Sequence, residues 1–422
     1  MEFMNKTREA AMMLSSLSVY KGIKNRTVPR AYYDLLCALD EPVQSFLEKW
    51  GRFFELLCRR GYSDSLARCL SKAALFDENA FSRAAAAGET DRLTEWTEAA
   101  VRRDISAINK AGKITAEDII KDYRFREDLG SVADTLPRWG TGDPVEEFSD
   151  ENTAFEKLSD YYRHNGCGMF ARYRAFIWRN KNIEPVVFPD SINIQSLKGY
   201  ELQRGIVVDN TTAFLEGVQC NNCLLYGDMG TGKSSTVKAI LNKYYTSGLR
   251  MVEIPKDKLS EFPLLAEKIA DIPLKFIIFI DDLSFGDDDR SYAQLKAVLE
   301  GGLAVRPENT LIYATSNRRH LIKENFSDRA GDDIHRNDTM QETLSLSDRF
   351  GLTVNFSKPG KQEYIDIVQS LAKENGIEYN QELIREAEQW ALARSGRSPR
   401  CAKQYISSVL ARKKNEEENT NE

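Results

Sequence analysis

Histidine is scarce in this sequence, with three residues among 422. His164, His320 and His335 do not stand at the spacing of metal ligands. Cys220 and Cys223 form the one C-x-x-C pair, and a zinc site would normally need a second pair or nearby histidines. We therefore favour buried thiols beside a strand over a metal or redox site at this pair.

Long apolar runs are also missing. No stretch approaches the roughly 18 residues that span a bilayer. Residues 1–30 contain no continuous apolar segment of the kind found in a signal peptide. The seven cysteines, an odd number, suggest reduced thiols. We expect a cytoplasmic protein without a membrane partner.

The chain has no excess of basic charge. Its 58 lysines and arginines face 64 acidic residues, which gives a net charge of −6. No overall basic field therefore indicates nucleic-acid binding. Locally, arginines alternate with aromatic residues between Arg163 and Arg179, and Arg318, Arg319 and His320 form a second basic stretch. DNA binding there is an alternative, but aromatic residues at helical spacing favour packing in a core.

The composition is that of a folded protein, with 42% hydrophobic and 29% charged residues, and the length predicts two to three domains. Residues 1–185 have apolar residues at helical spacing, which predicts a helical N-terminal domain. Residues 186–356 alternate strand and helix patterns, which indicates a parallel sheet covered on both faces. Residues 357–412 return to helices. The charged residues 413–422 are predicted to be disordered.

The junction between the first two domains is predicted from two short segments. Residues 169–178 carry aromatic residues at helical spacing and are predicted to be a helix. Residues 183–190 contain two prolines and are predicted to be a linker. The first domain should therefore end near residue 185.

The most informative stretch is residues 227–234, which fits the phosphate-binding pattern G-x-x-x-x-G-K-[ST]. A short apolar run precedes it and a helical pattern follows, so the loop joins a strand to a helix, as the motif requires. A glycine-rich turn that binds nothing is disfavoured by this context. The predicted phosphate-binding residues are Gly227, Asp228, Met229, Gly230, Thr231, Gly232, Lys233, Ser234 and Ser235.

The residue types in this loop suit a nucleotide. Glycines let the backbone turn tightly and direct several N–H groups at phosphate oxygens, and the helix N-terminus adds partial positive charge. Lys233 is predicted to reach the β- and γ-phosphates, and the Ser234 hydroxyl to ligate Mg²⁺.

Two acids follow a second buried strand pattern. Residues 276–280 are apolar, as in a central parallel strand, and Asp281 and Asp282 come directly after them. Asp281 is predicted to bind Mg²⁺ directly or through water. Asp282 is predicted to orient and deprotonate an attacking water. Two solvated acids at a strand end are the alternative, which the preceding phosphate loop disfavours.

Two polar side chains flank later strand patterns. Asn317 directly follows the strand pattern of residues 310–316 and is predicted to reach the γ-phosphate and the attacking water. Arg349 stands in a Ser-Asp-Arg-Phe context before residues 352–356. It is predicted either to project into a neighbouring subunit's nucleotide or to form a surface salt bridge.

These motifs resemble those of the AAA+ ATPases, over about residues 195–410. The resemblance identifies the phosphate loop as Walker A, the acidic strand end as Walker B, Asn317 as the end of the sensor strand and Arg349 as a residue shared between subunits. More closely, the full chain resembles uncharacterised bacterial proteins described only as ATP-binding, which have a helical N-terminal half. The resemblance implies ATP and Mg²⁺ as cofactors and a homo-oligomer that shares the ATP site.

The resemblance also implies an AAA+ type P-loop αβα sandwich with a parallel sheet, a C-terminal helical lid and an all-helical N-terminal domain. The lid would carry a second sensor, an arginine that contacts the γ-phosphate. Arg400, followed by Ala402 on a helix, is the first choice, and Arg397 the second. Residues 197–203 resemble the segment that borders the adenine.

Three departures from the family pattern matter. Walker B usually ends in Asp-Glu, whereas Asp282 is one methylene shorter, which predicts weaker water activation or activation through a second water. Residues 318–343 form a long polar interval, and residues 330–338 within it are predicted to be an extended mobile loop. Residues 254–259 lack the aromatic–apolar–glycine triplet of AAA+ protein unfoldases, so threading of polypeptides is disfavoured.

The sequence thus predicts a Mg²⁺-dependent AAA+ protein that hydrolyses ATP to ADP and phosphate and drives conformational change in an oligomer or client. The alternative is an ATP-gated binding module or loader, DNA-associated in one version, with little or no hydrolysis; Asp282 motivates it. A small-molecule P-loop kinase is less favoured, because it does not need Asn317 and Arg349. No motif names the client or the number of subunits.

Overall fold

The structure is a computed structural model. The residues that it describes are 5–284, 290–300, 307–317, 349–394 and 396–420. It divides into two compact units, Met1–Arg172 and Tyr173–Glu422.

The first unit is helical around one core. In its helix α3, the buried residues Phe46, Trp50, Phe53 and Leu57 recur every three or four positions and so form one apolar stripe. The helices of this unit are α1 (Lys6–Ser15), α2 (Thr27–Leu36), α3 (Val43–Arg59), α4 (Leu66–Leu75), α5 (Ala80–Ala86), α6 (Glu95–Gly112), α7 (Ala116–Asp122), α8 (Val132–Thr135), α9 (Ala154–Asn165) and α10 (Gly168–Arg172).

A buried carboxylate ties two segments of this unit together. Asp104 in α6 has no exposed surface. Its Oδ2 accepts hydrogen bonds from the backbone N–H groups of Ser18, Val19 and Tyr20, at 2.9, 2.8 and 3.0 Å. Arg103 donates to the other oxygen at 3.2 Å. The carboxylate therefore caps the short helix Tyr20–Asn25, whose first N–H groups have no partner within the helix.

The second unit is built on a seven-stranded sheet in the order β2-β1-β4-β5-β6-β3-β7. Every pairing is parallel except that of β1 with β2. The strands are β1 (Ala175–Arg179), β2 (Asn182–Pro185), β3 (Cys223–Gly227), β4 (Leu249–Glu253), β5 (Lys275–Ile280), β6 (Thr310–Ser316) and β7 (Leu352–Phe356). The helices that accompany the sheet are α11 (Glu201–Leu215), α12 (Lys233–Tyr244), α13 (Phe262–Ala270) and α14 (Arg290–Glu300).

The central strands β5 and β6 are buried on both faces, as expected of a parallel sheet. All residues of β6 and five of the six of β5 are buried. Since parallel strands end at one edge, the residues that follow β3, β5 and β6 lie together at the carboxyl edge of the sheet. This edge carries the predicted site.

Three helices form the lid with a core of their own. They are α15 (Lys361–Glu374), α16 (Gln381–Leu392) and α17 (Pro399–Thr420). Tyr364, Val368, Ala387, Cys401 and Tyr405 are among the buried residues of this cluster. The lid is therefore a separate layer after β7, as predicted.

Three sequence predictions about boundaries differ from the structure. Residues 169–178 are not one helix, because Phe176 and Trp178 are buried at alternate positions of β1. The predicted linker begins with β2, so both strands join the sheet and the units divide after Arg172, not near residue 185. Residues 413–420 of the tail that was predicted to be disordered are helical, because α17 runs to Thr420.

Candidate nucleotide-binding site

The loop between β3 and α12 has the backbone that a phosphate cradle needs. Gly227, Gly230 and Gly232 all have positive φ, at 131°, 78° and 96°, a region that residues with a side chain rarely adopt. A Cβ at Gly227 would lie 2.4 Å from the carbonyl oxygen of Phe356. The first glycine therefore permits close packing of the loop against β7.

Lys233, the first residue of α12, is turned into its own loop. The side chain is buried, and its Nζ donates to the carbonyl oxygens of Gly227 and Asp228 at 2.9 and 2.6 Å. It also donates to Asn317 Oδ1 at 3.1 Å. Burial lowers the pKa of Lys233, while the carboxylates of Asp228 and Asp282 act in the opposite direction. The Lys233 ammonium donates to neutral oxygens, and phosphate oxygens could replace these as acceptors.

Asp281 lies opposite the first turn of α12. Its Oδ1 accepts hydrogen bonds from Ser234 Oγ at 2.6 Å and from Thr315 Oγ1 at 2.5 Å. The backbone N–H of Asp282 donates to the same oxygen at 3.2 Å. The structure thus brings together the hydroxyl and the carboxylate that were predicted to bind Mg²⁺.

Asp282 follows with φ of 52°, in the left-handed region. Its backbone N–H donates to Thr315 Oγ1 at 3.0 Å. Asn317 donates from Nδ2 to its Oδ1 at 2.7 Å. Because Asn317 also accepts from Lys233, a chain of hydrogen bonds runs from Lys233 through Asn317 to Asp282.

The lid contacts the loop through its last helix. The backbone N–H of Arg400 donates to the Gly230 carbonyl at 3.2 Å, and the Arg400 side chain is exposed and lines the cleft. Arg397 instead donates from Nε and Nη2 to both oxygens of Glu388, at 3.0 and 2.9 Å. Of the two candidate sensors, Arg400 faces the phosphate loop and Arg397 is held within the lid.

A cleft of about 630 Å³ extends from the loop toward the lid. Met229, 65% exposed, and Ser235 line it at the loop. Away from the loop its lining combines aliphatic residues with polar ones such as Lys198, Glu374 and Asn375, a mixture that suits a base and its polar edge. The aliphatic residues of this lining are Ile192, Leu197, Ile367, Leu371, Ile406 and Leu410. The predicted adenine-bordering segment thus contributes Leu197 and Lys198 to the wall.

Two contacts connect the loop and this segment to the start of the lid. Asp228 Oδ2 accepts from the backbone N–H of Lys358 at 2.7 Å. Tyr200 lies with its ring centroid 5.2 Å from that of Phe356 and donates its hydroxyl to the Ser357 carbonyl at 2.6 Å. A displacement of the loop would therefore also move the β7–lid connection.

Arg349 is not brought to the site of its own chain. It is half-buried and precedes β7, whose first residue Leu352 pairs with Cys223 at the start of β3. It therefore lies at the amino edge of the sheet, opposite the phosphate loop. Residues 318–348, which include the predicted loop and the Ser-Asp that precedes Arg349, lie outside the described residues.

The remaining predictions concern metals and nucleic acid. Among the described residues, no group of histidines, cysteines and acids could hold a metal ion by itself. Cys223 is buried, and burial raises the pKa of its thiol. In the segment of alternating arginines and aromatic residues between Arg163 and Arg179, Phe176 and Trp178 are buried, which favours packing. The described part of the chain has no helix that is long and apolar enough to cross a membrane.

Sequence reasoning missed Thr315. This threonine stands two residues before Asn317 in a strand of seven buried residues. In the sequence it resembles any β-branched core residue. Only the pairing of β6 with β5 places its hydroxyl beside both acids. A hydroxyl at the polar end of an otherwise apolar strand was the signal that could have identified it.

Residues 171–413 match the family model described as a protein of unknown function, DUF815. The chain belongs to this family. No curated protein sequence matches the chain significantly.

Several solved structures match about half of the chain. The RuvB Holliday junction branch migration motor of Thermotoga maritima is 14% identical with a TM-score of 0.35, and the match covers 52% of this chain and 64% of RuvB. AMPPCP-bound DnaA from Aquifex aeolicus is 16% identical with a TM-score of 0.37, covering 53% and 66%. The FIGL-1 AAA domain in complex with ADP is 17% identical with a TM-score of 0.36, covering 54% and 76%. The chain thus spans less than two thirds of RuvB.

The predicted fold class is confirmed for this DUF815 member. Its own strand order, with the phosphate-loop strand β3 between β6 and β7, establishes the arrangement. Helices cover the parallel sheet, a helical lid follows β7, and the N-terminal unit is helical. This is an AAA+ type P-loop αβα sandwich.

Proposed function

We propose that this protein binds ATP with Mg²⁺ and hydrolyses it to ADP and phosphate, and that the cycle drives conformational change in an oligomer or client. The observation that carries the proposal is the convergence of Lys233, the Ser234–Asp281 pair and the Asn317–Asp282 pair at one edge of the sheet. Each element alone has a structural explanation. Their convergence beside a glycine loop matches the parts of a phosphoryl-transfer site.

The residues present fit a nucleotide and its metal ion. Lys233 is a buried cation whose hydrogen-bond acceptors, among the described residues, are two backbone carbonyls and one amide oxygen, so phosphate oxygens would be stronger partners. Ser234 and Asp281 supply the hydroxyl and carboxylate oxygens that Mg²⁺ accepts. When bound, Mg²⁺ would neutralise charge on the β- and γ-phosphate oxygens.

Asp282 is the proposed base. Its carboxylate would accept a proton from the attacking water as the water oxygen bonds to the γ-phosphorus and the bond to the β-phosphate bridging oxygen breaks. Asn317 would orient the Asp282 carboxylate, and Lys233 would stabilise the charge on the phosphoryl oxygens. The Asn317–Asp282 hydrogen bond supports this assignment.

Two arginines complete the proposal. Arg400 would contact the γ-phosphate from the lid, supported by its exposed side chain and the contact of its backbone with Gly230. Arg349, at the opposite edge of the sheet, would contact the nucleotide of a neighbouring copy. A homo-oligomer that shares the ATP site is therefore part of the proposal, and a cytoplasmic location remains a prediction.

A second candidate is an ATP-gated module or loader with little or no hydrolysis. The observation that favours it is that the acid at this position is Asp282, one methylene shorter than the glutamate of the AAA+ pattern, so that it would activate water more weakly. The client of either version, DNA included, stays a prediction.

The test is steady-state phosphate release over a range of protein concentrations, paired with binding of a fluorescent ATP analogue. Lys233→Ala should lose both signals. Lys243→Ala, on the exposed far end of α12, is the matched control and should retain both. Binding without turnover at every protein concentration would support the gated module, and absence of binding would contradict both functions.

A further inference from the structure

Thr315 near the end of β6 contacts three successive residues that follow β5. Its Oγ1 donates to Asp281 Oδ1 at 2.5 Å and accepts from the backbone N–H of Asp282 at 3.0 Å. Its carbonyl accepts from the N–H of Leu283 at 2.7 Å. Thr315 is 1% exposed, so water does not compete for these bonds.

The hydroxyl is suited to this double contact because it carries one proton and two lone pairs. It can donate to a carboxylate and accept from an N–H at the same time. Serine can do the same, whereas valine, of equal shape, can do neither. The two bonds thus depend on the oxygen and not on the bulk of Thr315.

The bond to Asp281 has a particular role if Ser234 turns to a metal ion. Asp281 Oδ1 accepts from Ser234, Thr315 and the N–H of Asp282. Ser234 would leave Asp281 to ligate the ion, as the proposed function requires. Of these three donors, the Thr315 hydroxyl is then the one side chain that still orients the carboxylate.

We propose that Thr315 is a positioning residue that orients Asp281 toward Mg²⁺ and holds the backbone turn at Asp282. The proposal rests on the proposed function, because it assigns Ser234 and Asp281 to the ion. Residues that orient a metal ligand through a hydrogen bond typically alter metal affinity 10–100-fold when they are replaced. Thr315→Val should therefore weaken the contribution of Mg²⁺ to nucleotide binding on the order of tenfold.

The measurement is the ratio of dissociation constants of a fluorescent, non-hydrolysable ATP analogue with EDTA and with excess Mg²⁺. In Thr315→Val this ratio should fall about tenfold, whereas the constant in EDTA stays near the wild-type value. Thr315→Ser should restore the ratio. Thr310→Val is the matched control, because Thr310 is buried at the other end of β6 and its hydroxyl donates to Asn309.

The outcomes separate this proposal from the proposed function. A wild-type ratio in Thr315→Val, no recovery in Thr315→Ser, or an equal loss in Thr310→Val would overturn the positioning role alone. A wild-type protein that binds no nucleotide would overturn both. If Thr315→Val does not fold, as judged by circular dichroism, Thr315→Ala replaces it and should show the same loss of the ratio.

Discussion

Asn317 donates a hydrogen bond of 2.7 Å from its side-chain amide to the carboxylate of Asp282. Asp282 stands where the AAA+ pattern that the sequence resembles usually has a glutamate, and its backbone is left-handed with φ of 52°. Asp and Asn tolerate this conformation better than longer side chains do. The backbone turn and the Asn317 contact together give a physical reason for the shorter acid.

This relationship predicts opposite behaviour of two variants. Asp282→Asn should keep the turn and bind ATP with an affinity near that of the wild type, but lose turnover on the order of 10²-fold, as expected when a base is removed. Asp282→Glu should lower the free energy of unfolding by about 1 kcal/mol, because glutamate tolerates φ above zero poorly, and should not exceed wild-type turnover. Phosphate release and chemical denaturation measure these changes. A stable, faster Asp282→Glu protein would show that the turn does not select the shorter acid.

The contacts of the two lid arginines predict different roles, Arg400 in ATP affinity and Arg397 in the stability of the lid. Arg400→Ala should weaken ATP affinity on the order of tenfold relative to ADP, because a charge-assisted contact with the γ-phosphate is lost. Arg397→Ala should leave the ATP-to-ADP ratio unchanged and lower the thermal stability of the lid, because Glu388 loses both hydrogen bonds. Competitive binding of the two nucleotides checks the first effect. The reverse pattern would assign the sensor to Arg397.

The same ion pair predicts a pH dependence of stability. The hydrogen bonds from Arg397 lower the pKa of the Glu388 carboxyl. Because the folded value is the lower one, the stabilisation is present above the unfolded value of about 4.3 and is lost as the pH falls through the folded value. Glu388→Gln should therefore lower the unfolding midpoint at pH 7, and the difference should shrink below about pH 4.

Thermal unfolding across this pH range is the measurement. Glu382→Gln is the control, because Glu382 is 69% exposed and lies 3.7 Å from Arg385, so little change is expected at any pH. A difference between Glu388→Gln and the wild type that does not vary with pH would contradict the assignment.

In the helical unit, we expect the loss of the Asp104 carboxylate to lower the free energy of unfolding strongly. Asp104→Ala should lower the free energy of unfolding by about 3 kcal/mol, because three backbone N–H groups lose a buried acceptor. Asp122→Ala is the comparison, since Asp122 accepts from one backbone N–H, that of Thr7, and should cost about 1 kcal/mol. Urea denaturation and hydrogen exchange at Ser18 to Tyr20 measure the change. Equal costs would show that the cap at Asp104 contributes little.

Most of the fold could be predicted, because parallel strands and amphipathic helices leave different apolar patterns. The error over residues 169–178 shows the limit. Phe170, Tyr173 and Phe176 recur at helical spacing, whereas Phe176 and Trp178 alternate as in a strand, so this short segment fits both patterns. The burial of Phe176 and Trp178 on β1 became clear only from pairing with β4 and β2.

The candidate site likewise contains residues that the sequence predicts and one that it does not. The phosphate loop was visible because its residues are contiguous and their backbone requirements are local. Thr315 was not visible, since its role depends on the register between β5 and β6.

The sequence by itself determined that a glycine loop joins β3 to α12 and that acids end a neighbouring strand, because both features follow from residues adjacent in the chain. The tertiary structure decided which groups meet. It placed Arg400 rather than Arg397 at the loop, because Glu388 holds Arg397 within the lid. The tertiary structure also places Asp282 beside Asn317 through contacts between residues that follow or end neighbouring strands. Such contacts depend on strand register and packing, which no local sequence pattern specifies.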